Sequence, residues 1–244
     1  MEYGANVHAF VRATSSGELR NIRHLRDDIT VHRGDLRDKH SVERAMQHLT
    51  EYSDSIVFHL AAQAHVGELW ERPYETVDTN ITGTLNLLQT VVDLDLDLLK
   101  FDTAGTSEEY GNVDYQMEQK HEYDDDGRVL LSERSPVNPI SIYATSKLAA
   151  DFLTMNYHDA YGLPGVTTRM FNNYGPRQNP RYITGTIITQ ALERDIVELG
   201  NITPKRHMCV SDGVRGHLHV ALDGNPGEEY VYGYGENISM RDWG

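Results

Sequence analysis

Short runs of strand-forming residues alternate along the chain with longer stretches in which apolar positions recur every three or four residues. Asn6 to Val11 (Asn-Val-His-Ala-Phe-Val) is rich in strand formers, with Gly4 before it and the polar run Arg12 to Gly17 after it. A second strand is expected at Ile29-Thr30-Val31-His32, closed by Gly34-Asp35, and a helix at Ser41 to Tyr52 with Ser41 as its N-cap. Ser55 to Ala62 reads as a buried strand, and Thr79 to Val92 places Ile81, Leu85, Leu88 and Val92 at helical spacing. Leu94-Asp95-Leu96-Asp97-Leu98 alternates like a strand, but it is read as the helix exit leading into a strand at Leu99 to Ala104.

Between Asn112 and Asn138 the composition turns to Gln, Glu, Lys and Asp, with an acidic run at Asp124-Asp125-Asp126-Gly127, which marks a surface excursion. A helix follows from Ser141 to Tyr161, stopped by Gly162, and Val166 to Phe171 resumes as a strand. From Gly175 the texture is richer in Pro, Gly, Arg and Asn, with one helical stretch at Thr184 to Leu199. This alternation predicts an α/β fold with a parallel, doubly wound sheet over residues 1–174 and a smaller lobe over 175–244.

Composition narrows the function classes. With 39% hydrophobic and 24% charged residues, the chain has the balance of a globular protein. Lys and Arg total 22 against 37 Asp and Glu, so the formal net charge of -15 excludes nucleic-acid binding by bulk charge. There are 20 Asp and 17 Glu but only 5 Lys beside 17 Arg, a mixture that fits either a surface adapted to high salt or an ordinary acidic protein. One cysteine, Cys209, excludes an intrachain disulfide and a thiolate zinc cluster. No apolar run approaches the roughly 18 residues of a membrane span, and the first residues lack a signal peptide's basic and apolar regions, so a cytoplasmic protein is expected. None of the 12 His falls in a His-Glu-x-x-His or clustered Cys/His pattern, so no metal is expected. Asn80-Ile-Thr, Asn201-Ile-Thr and Asn237-Ile-Ser match the glycosylation sequon but are not expected to be used.

Two local patterns carry chemistry. Tyr143-Ala-Thr-Ser-Lys147 lies in the helix expected at Ser141 to Tyr161, where i,i+4 spacing puts phenol and ammonium on one face. A nearby Lys charge favours phenolate, so Tyr143 is a candidate acid/base for alcohol–ketone interconversion. Upstream, Gly105-Thr106-Ser107-Glu108-Glu109-Tyr110-Gly111 follows a strand, at the carboxyl end where ligands of parallel sheets bind. A hydroxyl there could share the substrate oxygen with Tyr143, and a carboxylate could take a carbon-bound proton. Alone, the same turn reads equally as a strand exit capped by Thr and Ser.

Taken with Gly34-Asp35-Leu36-Arg37-Asp38, His59-Leu60-Ala61-Ala62-Gln63-Ala64-His65, Thr79-Asn80-Ile81-Thr82-Gly83-Thr84 and Asn172-Asn173-Tyr174-Gly175-Pro176, these patterns resemble the extended short-chain dehydrogenase/reductases, specifically the nucleotide-sugar 4,6-dehydratases. Thr106-Ser107-Glu108 is similar to the turn of the GDP-mannose 4,6-dehydratases; epimerases of the family resemble Ser-Ser-x-x-Val-Tyr-Gly instead. The resemblance implies a Rossmann-like dinucleotide-binding region over residues 1–174 and a partial nucleotide-sugar lobe over 175–244. It implies catalysis by Thr106, Glu108, Tyr143 and Lys147, with Ser107 where relatives carry an Asp. Arg12, Asp35, Leu36, Leu60, Ala61, Ala62, Gln63, Thr79 and Asn173 would hold the cofactor together with Tyr143 and Lys147. His65, Asn172, Arg177 and Arg206 would face the substrate, a nucleotide-diphosphate hexose. Val11-Arg12-Ala13-Thr14-Ser15-Ser16 is similar to a segment in which Arg replaces the acid that binds the ribose diol, which favours NADP over NAD. A homodimer through the Tyr143 helix and the Thr79 to Val92 helix is implied as well.

The chain departs from the pattern in lacking Gly-x-x-Gly-x-x-Gly or Gly-x-Gly-x-x-Gly before Gly34, and in carrying Gly105 where the family often has Ser. The expectation is of a shortened chain, without the fold's first strand and Gly-rich turn, that binds cofactor poorly as it stands. The alternatives are a 4-epimerase or other oxidoreductase of the family, and a catalytically impaired binding module.

Overall fold

Among the described residues, parallel pairing organises the strands into one four-stranded sheet and two separate pairs. The computed structural model describes residues 4–13, 19, 21–64, 70–112, 121–199 and 207–235. β1 (His8–Arg12) pairs with β2 (Thr30–Gly34) in a two-stranded sheet. A second sheet has the order β10-β7-β4-β3, built from β3 (Ser55–His59), β4 (Leu98–Ala104), β7 (Gly165–Met170) and β10 (Glu229–Tyr232), with every neighbour parallel. Parallel neighbours need crossover connections, and helices supply them.

α1 (Lys39–Met46) follows β2, and α3 (Gly83–Asp93) follows β3 after the short α2 (Pro73–Val77) and one π-helical turn at Asp78–Thr82. α4 (Ile142–Tyr161) connects β4 to β7. Its ends follow the sequence signals: the Ser141 hydroxyl accepts the Ala144 amide at 3.0 Å, and Gly162 closes the helix at φ 70°. α1 departs from expectation at its start. Asp38 is the N-cap, accepting the His40 amide at 3.1 Å, while Ser41 lies buried inside the helix and donates to the Asp35 carbonyl at 2.8 Å. Ser41 braces the turn after β2 rather than starting the helix.

The core joins the two sheets through helices. Leu36, Val42, Met46, Leu87, Leu88, Val91, Leu98, Phe101 and Leu163 form one buried cluster contributed by the β2 exit, α1, α3 and β4. Full burial of side chains such as Leu88 and Phe101 stabilises the fold by about 2–3 kcal/mol each.

The surface excursion contains a hairpin of β5 (Glu122–Tyr123) and β6 (Val129–Leu130), in which the Asp124 carboxylate accepts the amides of Asp126 and Arg128 at 3.0 and 2.8 Å. After Gly175, the chain forms α5 (Ile183–Glu193) and returns through β9 (His207–Cys209), which pairs with β8 (Asn172–Tyr174). α6 (Val210–Asp223) then packs on β4 and β7, and β10 completes the four-stranded sheet. Within residues 175–235, α6 and β10 thus contribute to the sheet layer. Among the described residues, no helix is long and apolar enough to cross a membrane.

Candidate active site

The turn after β4 is built by its own side chains. Thr106 is the N-cap of a 3-10 turn at Ser107–Tyr110, with its hydroxyl accepting the Glu108 amide at 3.3 Å, and Glu109 reaches back to accept the Thr106 amide at 2.7 Å. This reciprocal capping box fixes Thr106 and sets Glu108 on the first turn. The capping reading of this turn therefore holds.

Facing it, α4 presents Tyr143 and Lys147. Burial, and next the Glu108 carboxylate, raise the Tyr143 phenol well above the ordinary tyrosine range, with Tyr182 at the start of α5 also contributing. Tyr143, Glu108 and Tyr182 therefore share one environment. The expectation that Lys147 draws the phenol down is corrected here. Lys147 is 2% exposed, and burial lowers its ammonium against the opposing charges of Asp151, Glu109 and Asp102. Desolvation and carboxylates dominate the protein's own influence on Tyr143, so the phenol is held protonated at neutral pH.

Asn80 is the main site residue that sequence reasoning missed. It is 2% exposed and sits in the π-helical turn. Its Oδ1 accepts the Gln63 amide at 2.7 Å, and its Nδ2 donates to the Gln63 carbonyl at 3.1 Å and to Ser146 Oγ at 2.9 Å. One amide thus joins the turn after β3 to the helix face of Lys147. A buried Asn80 also cannot serve as the acceptor its sequon suggests; Asn201 and Asn237 lie outside the described residues. Next to it, His59 Nε2 meets Thr84 Oγ1 at 2.8 Å, and burial depresses the imidazole to about 3, so it is neutral.

At the ends of β1 and β2 the expected nucleoside residues come together. Arg12 Nη2 donates to Glu75 Oε1 at 2.7 Å, and its Nε is 3.9 Å from Asp35 Oδ2. Arg37, not singled out from the sequence, donates to both Asp35 oxygens at 2.9 and 2.6 Å and holds that carboxyl down at about 2. Leu36 is buried in the core, whereas Leu60, just past β3, is 54% exposed. Ala61 is exposed, and Ala62, Gln63 and Thr79 are partly buried.

The remaining candidates are spread more widely. Asn173 donates to Met170 Sδ at 2.9 Å and to the Phe171 carbonyl at 3.2 Å, and Gly213 on α6 packs directly on its Oδ1. Asn172 is exposed. Arg177 reaches away to the Asn21 carbonyl at 2.6 Å. Ser107 is partly buried in the turn it helps form. His65 and Arg206 lie outside the described residues.

A carboxylate, a phenol, a hydroxyl and a buried ammonium at the carboxyl end of a parallel strand can together move protons at adjacent carbons of a bound alcohol. The chain is 32% identical over 249 residues to a GDP-mannose 4,6-dehydratase of Sordaria araneosa, covering 100% of this chain and 43% of that one. It is 30% identical over 260 residues to GDP-mannose 4,6 dehydratase 1 of Arabidopsis thaliana, covering 100% of this chain and 67% of that one. For other relatives of the same name, the chain spans 64% of their length. Among solved structures, the dTDP-glucose 4,6-dehydratase DesIV of Streptomyces venezuelae, with NAD and TYD bound, is similar at a TM-score of 0.81 and 29% identity, over 97% of this chain and 69% of that one. With the family model described as GDP-mannose 4,6 dehydratase matching residues 1–244, the chain belongs to the GDP-mannose 4,6-dehydratase family.

Proposed function

We propose that this chain carries the catalytic apparatus of a nucleotide-sugar 4,6-dehydratase, with GDP-mannose as the favoured substrate and NADP as the favoured cofactor. The observation that carries the reading is the shared environment of Glu108 and Tyr143, with Lys147 buried one helical turn away. A nicotinamide dinucleotide, when bound, would supply the transient oxidation at C4 and the reduction at C6. The residues fit its two ends: Arg12 beside Asp35 and Arg37 at the nucleoside end, and Tyr143 with Lys147 at the nicotinamide end. The exposed Leu60 and the Asn80-fixed Gln63 would line the stretch between those ends. Arg12 supports a 2′-phosphate over a free ribose diol.

The protein's own steps are proton transfers. Tyr143 first gives up its proton to solvent, a loss that the Lys147 charge favours; as the phenolate it then takes the proton of the C4 hydroxyl, with the Thr106 hydroxyl hydrogen-bonded to the same oxygen, and becomes the phenol again. The C4 ketone acidifies the C5 proton. Glu108 removes it while the C6 hydroxyl leaves as water, taking a proton from Glu108 or from a water, since Ser107 stands where relatives have an acid. Tyr143 passes that proton on to C5 as C6 is reduced, and the product is a 4-keto-6-deoxy sugar.

Other features support a homodimer through α3 and α4, where Leu85 and Phe152 are 38% and 50% exposed on helices that pack together. A single cysteine and the acidic surface support a cytoplasmic setting. Residues 175–244 are assigned to the nucleotide-sugar side, with α6 and β10 anchoring them to the sheet.

The test is product analysis after incubation with NADP and GDP-mannose. The expected product is a 4-keto-6-deoxy sugar, with Glu108→Gln stopping water loss while leaving some oxidation at C4. A C4 epimer as the sole product would overturn the reading.

A further inference from the structure

Beneath the Thr106 turn lies a closed charge network that the proton transfers above do not use. Arg169 on β7 is 2% exposed, and Glu109 and Asp151 are fully buried. Arg169 Nε donates to Glu109 Oε2 at 2.8 Å and to Asp151 Oδ2 at 3.2 Å, while its Nη2 reaches Glu229 on β10 at 2.6 Å. Tyr110 stacks its ring 5.6 Å from the guanidinium carbon. Two buried carboxyls thus meet one edge of a single cation. Among the described residues Asp151 Oδ1 has no protein donor, and burial together with Glu109 raises the Asp151 carboxyl well above its ordinary range. A proton held on Asp151 satisfies both observations.

The second oxygen of Glu109 points the other way, accepting the Thr106 amide at 2.7 Å. One side chain therefore spans from the β4 turn to β7, and to Asp151, which lies one turn beyond Lys147 on α4. Gly105 shows how completely the space is filled. A Cβ there would stand 2.9 Å from Glu109 Oε1 and 3.0 Å from Asp151 Oδ2. The carboxyl pair occupies the volume that a serine at this position would need, which accounts for the glycine noted from the sequence.

We propose that Glu109 is a positioning residue: its carboxylate locks the Thr106 turn to the helix that bears Lys147 and sets the charge balance around that ammonium. The groups facing Glu109 are Asp151 and Lys147 from α4, Arg169 from β7, Glu229 from β10, Tyr110 from its own turn and Tyr143 above, while Asp102 from β4 and His59 from β3 face Lys147. The effect on turnover rests on the dehydratase reading, whereas the effect on Thr106 and Lys147 does not.

The test compares Glu109→Gln and Glu109→Leu in the full chain. Three quantities are read: hydrogen exchange of the 104–111 segment, the titration of the Lys147 amine by nitrogen NMR, and kcat and KM for the nucleotide sugar. Glu109→Gln keeps an acceptor for the Thr106 amide and should hold its protection, whereas Glu109→Leu should speed exchange about tenfold or more. Both variants remove a negative charge and should move the Lys147 titration to lower pH. With turnover present, kcat should fall about tenfold or more in Glu109→Leu at unchanged KM, with partial rescue in Glu109→Gln. A Lys147 titration at its original pH in the variants, with exchange altered no more at 104–111 than elsewhere, would show a packing role and overturn the proposal. Should Glu109→Leu fail to fold, the Lys147 titration in Glu109→Gln decides. Absence of dehydration by the unsubstituted chain would count against the proposed function, while exchange and titration would still decide the role of Glu109.

Discussion

His217 Nδ1 stands 2.6 Å from Asp102 Oδ2, with both side chains buried, so α6 is pinned to β4 four residues before Thr106. Thr168 Oγ1 donates to the other Asp102 oxygen at 3.2 Å, and the Tyr232 ring meets His217 edge-on at 5.9 Å. Replacing His217 by Leu strands a buried carboxylate and should cost about 3–5 kcal/mol. Asp102→Leu should cost about 2–4 kcal/mol by leaving imidazole and hydroxyl without their acceptor. In urea unfolding, the double variant is expected to be more stable than the sum of the two losses. Strict additivity would mean that the pair does not act as a unit.

Asn80→Ala removes three hydrogen bonds at once and leaves Gln63 and Ser146 without their partner. A loss of about 2–3 kcal/mol in stability is expected, along with weaker cofactor binding because the turn after β3 is released. Thermal unfolding and a fluorescence titration with NADPH read the two effects. Retained affinity in a destabilised variant would separate Asn80 from the site.

His59 predicts a loss of stability in acid. Its folded pKa of about 3 lies below the ordinary imidazole value of 6.5, because burial disfavours the charged ring. The unfolded chain therefore binds the proton first as pH falls. The stability linked to the neutral ring is full above about pH 6.5 and is lost progressively below it, amounting to about 2 kcal/mol by pH 5. His59→Asn should flatten that part of the pH dependence. Equal slopes between pH 7 and 5 for both proteins would contradict this assignment.

Arg12 is half exposed at the end of β1 and is engaged by Glu75 and Asp35. Arg12→Ser should weaken NADP binding about tenfold or more while changing NAD binding little, because only the 2′-phosphate uses the guanidinium fork. Calorimetry with both cofactors checks it. An equal loss for both would make Arg12 a structural partner of Glu75 alone.

The parts legible in the sequence were those with local signals. α4 could be read from Ser141 to Tyr161 because both of its ends carry capping residues, and Tyr143 with Lys147 came with it. Thr106 and Glu108 were legible because a single turn holds them. α6 was missed because its buried side is made of Gly213, His217, Val220 and Ala221, which blurs the apolar period. β10 is four residues long, and its partner β7 precedes it by some sixty positions. Asn80 and Arg169 are buried polar residues in segments of mixed polarity. Their importance comes from partners on other elements, which no window along the chain contains. The protonation of Tyr143 was misjudged for a related reason: spacing reveals the nearby ammonium but not the desolvation that outweighs it.

Among the described residues, no ladder joins the β1–β2 pair to the four-stranded sheet. The groups that would grip a nucleoside, Arg12 and Asp35, and the groups that would do chemistry, Thr106 and Tyr143, are therefore tied through the shared apolar cluster of Leu36, Val42, Leu88 and Phe101 rather than through a ladder. A cavity opened in that cluster would loosen occupancy and turnover together.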